Sequence, residues 1–311
     1  MTQFERALRS NIKLKHLQLV VALDEFRHLG RTAEFLSVSQ PAVSKMLGEI
    51  EAMLDLRLFD RSRRGTEPTQ AGQSLLRFAR SVLAGYERTR DEISAIERGV
   101  AGRTRVGCMV VAMPTLLAPA IARLKSESVS ATVMVDEGDL TQLLPKLRLG
   151  ELDLFLGRLE PGYASPDLLT EVLYEETMTI VVRPGHPLTR KKVVTWQDLV
   201  PLRFVVPPPW ASLRVKLEQQ FFKYELQPPQ DVVESASFLA QVTFVSDQDA
   251  AALMAHSVAK HFAGQGLVQP LRLMVPVELP PVGIMTVRGR PLTPISQRLV
   301  DIVRQLVRER Q

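Results

Sequence analysis

The chain has 311 residues, 45% of them hydrophobic, and a formal net charge of +5 at pH 7. That length and apolar content suit about two or three domains with real cores and exclude a disordered polymer. One cysteine, Cys108, excludes an intrachain disulfide and a cysteine-rich zinc site and reads as a small core residue. Met1 to Arg9 offers no apolar segment for a signal peptide, and no run approaches a membrane span, so a cytoplasmic location is expected. The positive excess is small, +3 in residues 1–100 and +2 in the remainder. A polyanionic partner would therefore be held by a few placed cations, doubled by dimerisation.

In chain order, Leu14, Leu17, Val20, Val21 and Phe26 mark a first helix. A short helix, Arg31 to Ser37, follows and breaks at Val38-Ser39. The next begins at Gln40-Pro41 and is apolar at Val43, Met46, Leu47, Ile50 and Leu54. Ser39 is a good N-cap, and Pro41 falls in the first turn, where its missing N–H costs nothing. The pair reads as a helix-turn-helix, against the plainer alternative of two core helices with a polar outer face. The start of its second helix (Ser39, Gln40, Ala42, Ser44, Lys45) is small or polar. Backbone there can approach phosphate while side chains reach base edges of double-stranded DNA. Arg31, Thr32 and Pro41 join Ser39, Gln40, Ser44 and Lys45 as candidate DNA contacts. Leu58 to Thr69 is a cationic turn punctuated by Gly65 and Pro68. It predicts a hairpin wing on which Arg61, Arg63 and Arg64 suit phosphate or a narrow minor groove, a solvated charge cluster being the alternative.

The run LSVSQPAVSKMLGEIEAMLDLRLFDRSRRGTEPTQAG resembles the N-terminal domain of LysR-type transcriptional regulators. Helix, turn, Ser-Gln-Pro start, Leu-Phe-x-Arg step and Thr-x-Ala-Gly exit occur in that family's order. The resemblance covers essentially the whole chain. It implies an α+β and α/β multidomain protein: a winged helix-turn-helix, a long dimerising linker helix, and a two-lobed α/β effector domain resembling type 2 periplasmic binding proteins. The expected limits are 1–70 for the DNA-binding domain and 71–99 for the linker. The effector domain follows at 103–311, with lobe I at about 103–176 and 279–311 and lobe II at about 177–278. One departure is Thr32-Ala33 where the family usually has an Ala-Ala pair.

Between Ala71 and Gly99, Leu75, Ala79, Val82, Tyr86, Thr89, Ile93 and Ile96 recur at alternating spacings of four and three. This heptad seam predicts dimerisation through a helix about 40 Å long. Beyond Arg103, strands and helices alternate: strand Arg105–Val111, helix Thr115–Ser126, strand Ala131–Val135, helix Leu140–Leu149 and strand Leu152–Leu156. Thr177–Arg183 opens a second lobe with Phe204–Val206, helix Ser212–Tyr224, strand Asp231–Glu234 and helix Phe238–Val245. Pro280–Val287 and helix Ile295–Arg308 return to the first lobe. The alternation predicts parallel sheets with crossover helices and a cleft at the strand ends.

Candidate effector contacts are Val110, Val111, Ala112, Asp139 and Arg158 on one side, and Trp210, Ser212 and Ser237 on the other. Each has an ordinary alternative, such as an N-cap for Ser212, a rim position for Trp210 or an interlobe salt bridge for Arg158. In this family's acid-binding members, hydroxyl residues commonly occupy the first two of these turns; here they are apolar and acidic. A sugar, polyol or amine-bearing effector is therefore favoured over a simple acid. Enzyme readings find no support, since His16, His28, His186, His256 and His261 have no metal spacing and Gly-rich phosphate loops are absent. No cofactor is expected. A repressor with a vestigial cleft remains the alternative to an effector-controlled regulator. The resemblance allows a homodimer or homotetramer and RNA polymerase as a further contact.

Overall fold

The computed structural model describes residues 11–62, 65–98, 102–209 and 211–310. The chain divides into two compact units, Met1–Gly102 with Pro145–Leu152, and Arg103–Leu144 with Asp153–Gln311.

In the first unit, α1 (Leu14–Phe26), α2 (Leu29–Phe35) and α3 (Gln40–Leu54) precede a hairpin of β1 (Phe59–Ser62) and β2 (Gly65–Pro68), and α4 (Gln70–Arg98) follows. Leu19 and Leu23 of α1, Val43, Leu47 and Ile50 of α3, and Phe59 of β1 form a fully buried core. The apolar spacing in α1 and α3 thus becomes two facing stripes. α2 starts two residues before the apolar pattern predicts, because the His28 imidazole caps it: Nδ1 accepts from the backbone N–H of Gly30 at 3.0 Å. It ends at Phe35, since Ser37 turns left-handed at φ 55°.

The hairpin is fastened at both ends. Glu51 of α3 accepts from the backbone N–H of Leu58 at 2.7 Å and of Phe59 at 3.2 Å. At the other end, Thr66 N–H donates to the Arg27 carbonyl at 2.9 Å. Gly65 sits at φ +124°, and a Cβ there would lie 2.7 Å from the same carbonyl oxygen. Only glycine fits that approach.

α4 runs 29 residues, about 43 Å at 1.5 Å per residue. Its first turns belong to the core just described. Leu75 and Ala79, predicted as seam positions, are 7% and 0% exposed within this chain, so they are core residues of the DNA-binding unit. The heptad spacing could not reveal this, because a helix that first covers its own domain and then a partner keeps one periodicity throughout. Past Ala79 no residue of α4 is buried, and Tyr86, Ile93 and Ile96 stand exposed with Phe78, which the seam reading omitted.

The second unit holds two five-stranded sheets. The first contains β3 (Arg103–Cys108), β4 (Thr132–Glu137), β5 (Leu154–Arg158), β6 (Leu168–Tyr174) and β12 (Val282–Val287), in the order β4-β3-β5-β12-β6. With it go α5 (Ala118–Glu127), α6 (Leu140–Leu149), whose residues from Pro145 onward are grouped with the first unit, and the final α10 (Pro294–Arg308). The second sheet contains β7 (Met178–Val182), β8 (Phe204–Val206), β9 (Val232–Glu234), β10 (Ala251–Ala255) and β11 (Gln269–Pro270), in the order β11-β7-β10-β8-β9. Its helices are α7 (Ser212–Lys223), α8 (Phe238–Asp247) and α9 (His256–Gly264). Both sheets are mixed: β3 pairs parallel with β4 and β5, whereas β12 runs antiparallel to β5 and β6. The chain leaves the first lobe after Tyr174 and returns before Val282, so two crossings form the hinge. β6, β10 and α9 escaped the sequence reading. β10, Ala-Ala-Leu-Met-Ala, is buried throughout and lacks both alternation and β-branched residues, the two signals a strand normally gives.

Candidate DNA-binding surface and effector cleft

The exposed start of α3 is set by its cap. Ser39 Oγ accepts from the Ala42 N–H at 3.4 Å, and Pro41 occupies the first turn. Gln40, Pro41 and Lys45 are exposed; the Lys45 side chain is 80% exposed and only 4.0 Å from Glu49. Arg61 on β1 donates to Ser44 Oγ at 3.2 Å. The hairpin and α3 therefore share one polar, cationic face, with Arg31 exposed on the neighbouring helix. Thr32 is a correction. It is 0% exposed, and its hydroxyl donates to the His28 carbonyl at 2.9 Å, so it fills core space and cannot touch DNA. Arg63 and Arg64 lie outside the described residues.

The proposed cleft residues divide more unevenly. Val110 is half-buried in the turn after β3, but Val111 and Ala112 are buried at 7% and 0% exposure and face the lobe interior. Asp139 is exposed and caps α6: Oδ1 accepts from Thr141 N–H at 2.8 Å and Gln142 N–H at 3.2 Å. Ser237 is also a cap, accepting from Ala240 N–H at 3.3 Å. Ser212 is exposed as the first residue of α7 and makes no capping bond, Ala211 holding the cap position. Trp210 lies outside the described residues.

Arg158 is the second correction. Only 7% exposed, its guanidinium lies between the two crossings, donating to the Pro280 carbonyl at 3.1 Å and reaching Met178 Sδ at 3.5 Å. Burial pulls its ionisation down, and the negative charge of Glu176 opposes that shift. Glu176, 8% exposed, accepts from the Ser257 N–H at 3.2 Å and from the Ser257 hydroxyl, capping α9. The interlobe salt bridge that the sequence left as an alternative is not formed within 4 Å among the described residues; Arg158 is instead a buried hinge cation bonded to the Pro280 carbonyl. Glu176 was missed because Tyr174-Glu175-Glu176 belongs to no motif or period. Cys108 is fully buried; burial first, then Glu137, pushes its thiol up to about 12. It is an inert core group at neutral pH.

A three-helix domain with a wing, a long helix and a two-lobed α/β body define a regulator architecture. The sequence models of two domains match this chain: "Bacterial regulatory helix-turn-helix protein, lysR family" over residues 14–73 and "LysR substrate binding domain" over residues 97–308. The chain belongs to the LysR family of transcriptional regulators. It is 34% identical to the HTH-type transcriptional regulator GbpR of Azospirillum brasilense over 302 residues, covering 96% of this chain and 87% of that protein. Similarity to the regulator GalR of Pseudomonas putida is 31% over 296 residues, covering 95% and 74%. Among solved structures, the LysR family regulator CbnR is similar in fold, with a TM-score of 0.71 at 20% identity, covering 95% of this chain and 99% of that one. CbnR complexed with its target DNA gives 0.70 at 20% identity, covering 95% and 100%.

Proposed function

We propose that this chain is a cytoplasmic, non-catalytic regulator that reads DNA as a pair of copies and is controlled by a small molecule held between its two lobes. The observation that carries the reading is the exposed start of α3, where Gln40 and Lys45 stand exposed beside an Arg61 anchored on Ser44. No helix among the described residues is long and apolar enough to cross a membrane. CbnR, which is similar in fold, has been solved complexed with its target DNA, and this supports the DNA-reading part of the proposal.

Base reading is assigned to Gln40 and backbone contact to Arg61 and Lys45. Gln40→Ala should weaken binding to the specific operator by about 1–3 kcal/mol and leave random DNA nearly unchanged. Arg61→Ala should weaken both and flatten the salt dependence by about one phosphate contact. Footprinting and titration against operator and random duplexes at several salt concentrations separate the two roles; equal effects of both variants on both duplexes would refute the assignment.

Pairing is assigned to the stripe of exposed Phe78, Tyr86, Ile93 and Ile96 and half-buried Val82 on α4, an apolar row on which nothing in this chain packs completely. Ile93→Asp would bury an unpaired charge between helices, a cost of several kcal/mol. Sedimentation should show loss of the oligomer together with loss of operator binding. An assembled, fully binding variant would place the interface elsewhere. In the cleft, Asp139 uses Oδ1 for its own helix and keeps a negative charge at an exposed turn. That supports a hydroxyl-rich or amine-bearing effector, with Ser212 and Ser237 as hydroxyl partners from the other lobe.

A further inference from the structure

Arg27, the residue that closes α1, holds the hairpin wing in two ways. Its carbonyl accepts from Thr66 N–H at 2.9 Å, and its guanidinium pairs with Glu67 of β2. Arg27 does this from the left-handed region, at φ 50°, a conformation that a residue with a side chain keeps only where its surroundings hold it. The hold comes from Asp24, three residues earlier in α1. Arg27 Nε donates to the Asp24 carbonyl at 2.6 Å, and a terminal nitrogen of the same guanidinium stands 2.7 Å from Asp24 Oδ1.

Asp24 serves a second arginine. Arg80 of α4 donates through one terminal nitrogen to Asp24 Oδ2 at 2.8 Å, and its other terminal nitrogen lies 3.9 Å from Glu151 Oε1. Glu151 follows α6 in the segment Pro145–Leu152, which is grouped with the DNA-binding unit. About two turns further along α4, Arg88 fastens the same segment by donating to the Gly150 carbonyl at 3.2 Å. Glu67, Arg27, Asp24, Arg80 and Glu151 thus form one continuous chain of alternating charge within the first unit. The Asp24 side chain at its centre is 14% exposed, against 66% for Glu67 and 31% for Glu151. The central links are therefore the strong ones, because water screens the outer pairs more.

We propose that this chain is a relay in which Asp24 and Arg80 are positioning residues for the wing, and through which the turn after α6 acts on the wing. α6 begins at the Asp139 cap and ends in this turn, so the helix that opens at the assigned cleft closes on the element that sets a DNA contact. The consequence for DNA rests on the reading above, in which the wing carries the Arg61 contact.

Binding of the full-length protein to a random-sequence duplex, measured well below melting, reports wing position and not stability, since the folded protein's affinity is untouched by a stability change alone. Asp24→Asn keeps the shape and removes the charge; it should weaken random-duplex binding about threefold and add nothing in the Arg61→Ala background. Glu151→Gln should weaken binding by about twofold or less, and should have no effect in the Arg80→Gln background, as two members of one network require. Hydrogen exchange at the Thr66 amide reads the same hold without DNA and should be about fivefold faster in Asp24→Asn. The relay is overturned if Thr66 exchange is unchanged in Asp24→Asn, or if Glu151→Gln acts equally with and without Arg80→Gln. It is also overturned if Asp24→Asn leaves random-duplex binding unchanged while Arg61→Ala weakens it. Faster Thr66 exchange with duplex binding indifferent to Arg61→Ala would instead leave the relay standing and refute the wing as a DNA contact.

Discussion

Replacing Gly72 by alanine should unfold the DNA-binding unit, although alanine is the better helix former. Gly72 lies in the first turn of α4, pressed against the loop between α3 and the hairpin, and a Cβ there would stand 2.0 Å from the Leu58 carbonyl oxygen and 3.3 Å from Pro68 Cβ. The obstacle is backbone and cannot rotate away. Thr69 pins the same contact, its hydroxyl donating to the Arg57 carbonyl at 2.7 Å and accepting from Gly72 N–H at 3.1 Å. Alanine's propensity gain of about 1 kcal/mol is outweighed by an overpacking cost of order 3 kcal/mol or more, a large share of the about 5–15 kcal/mol that holds a domain folded. Calorimetry should show the transition of this unit lowered or lost while that of the α/β unit persists, and operator binding should disappear. A Gly72→Ala protein with unchanged melting and unchanged DNA binding would mean that α4 moves off the hairpin at little cost.

That contact illustrates which parts of the molecule could be read from sequence. The helix-turn-helix was legible because three independent signals coincide over a short stretch: the 3.6-residue apolar period of α3, the Ser39 cap with Pro41, and the Gly-and-Pro-punctuated cationic turn. Each is local, so each survives without knowledge of the fold. Thr32 was misplaced for the opposite reason. Its neighbours in sequence face DNA, and only the tertiary packing shows that this one side chain points inward and bonds the His28 carbonyl. The same holds for Leu75 and Ala79, whose periodicity identifies a stripe without telling what covers it. In the α/β unit, alternation of strands and helices gave the two lobes, but the hinge was invisible. Glu176 and Ser257 come from a crossing and from α9, far apart in sequence, and Arg158 is bonded to the returning crossing through the Pro280 carbonyl only because β5 ends beside it.

The hinge accordingly carries the second large effect. Glu176→Ala removes the cap of α9, which the backbone bond from His256 N–H to the Thr177 carbonyl at 2.8 Å replaces only in part. It also deprives Arg158, 7% exposed, of the stronger of the two carboxylate charges that act on it, Glu160 remaining. Leaving a buried charged group less compensated costs about 3 kcal/mol, the desolvation penalty of the charge left behind. In a unit of roughly two hundred residues, that lowers the melting temperature by about 10 °C. The cost should therefore depend on what stands at position 158. Arg158→Met in the Glu176→Ala background removes both charges and should recover part of the loss, whereas Arg158→Met alone should not stabilise the protein. Thermal unfolding of the four proteins forms a cycle, and a coupling of about 1 kcal/mol or more between the two positions is the expected result. Additive effects would show that Glu176 acts only as the cap of α9 and that the Arg158 charge is satisfied by the Pro280 carbonyl alone. Nonspecific DNA binding at low salt reports on the other unit and should stay constant across the cycle, since neither residue belongs to it.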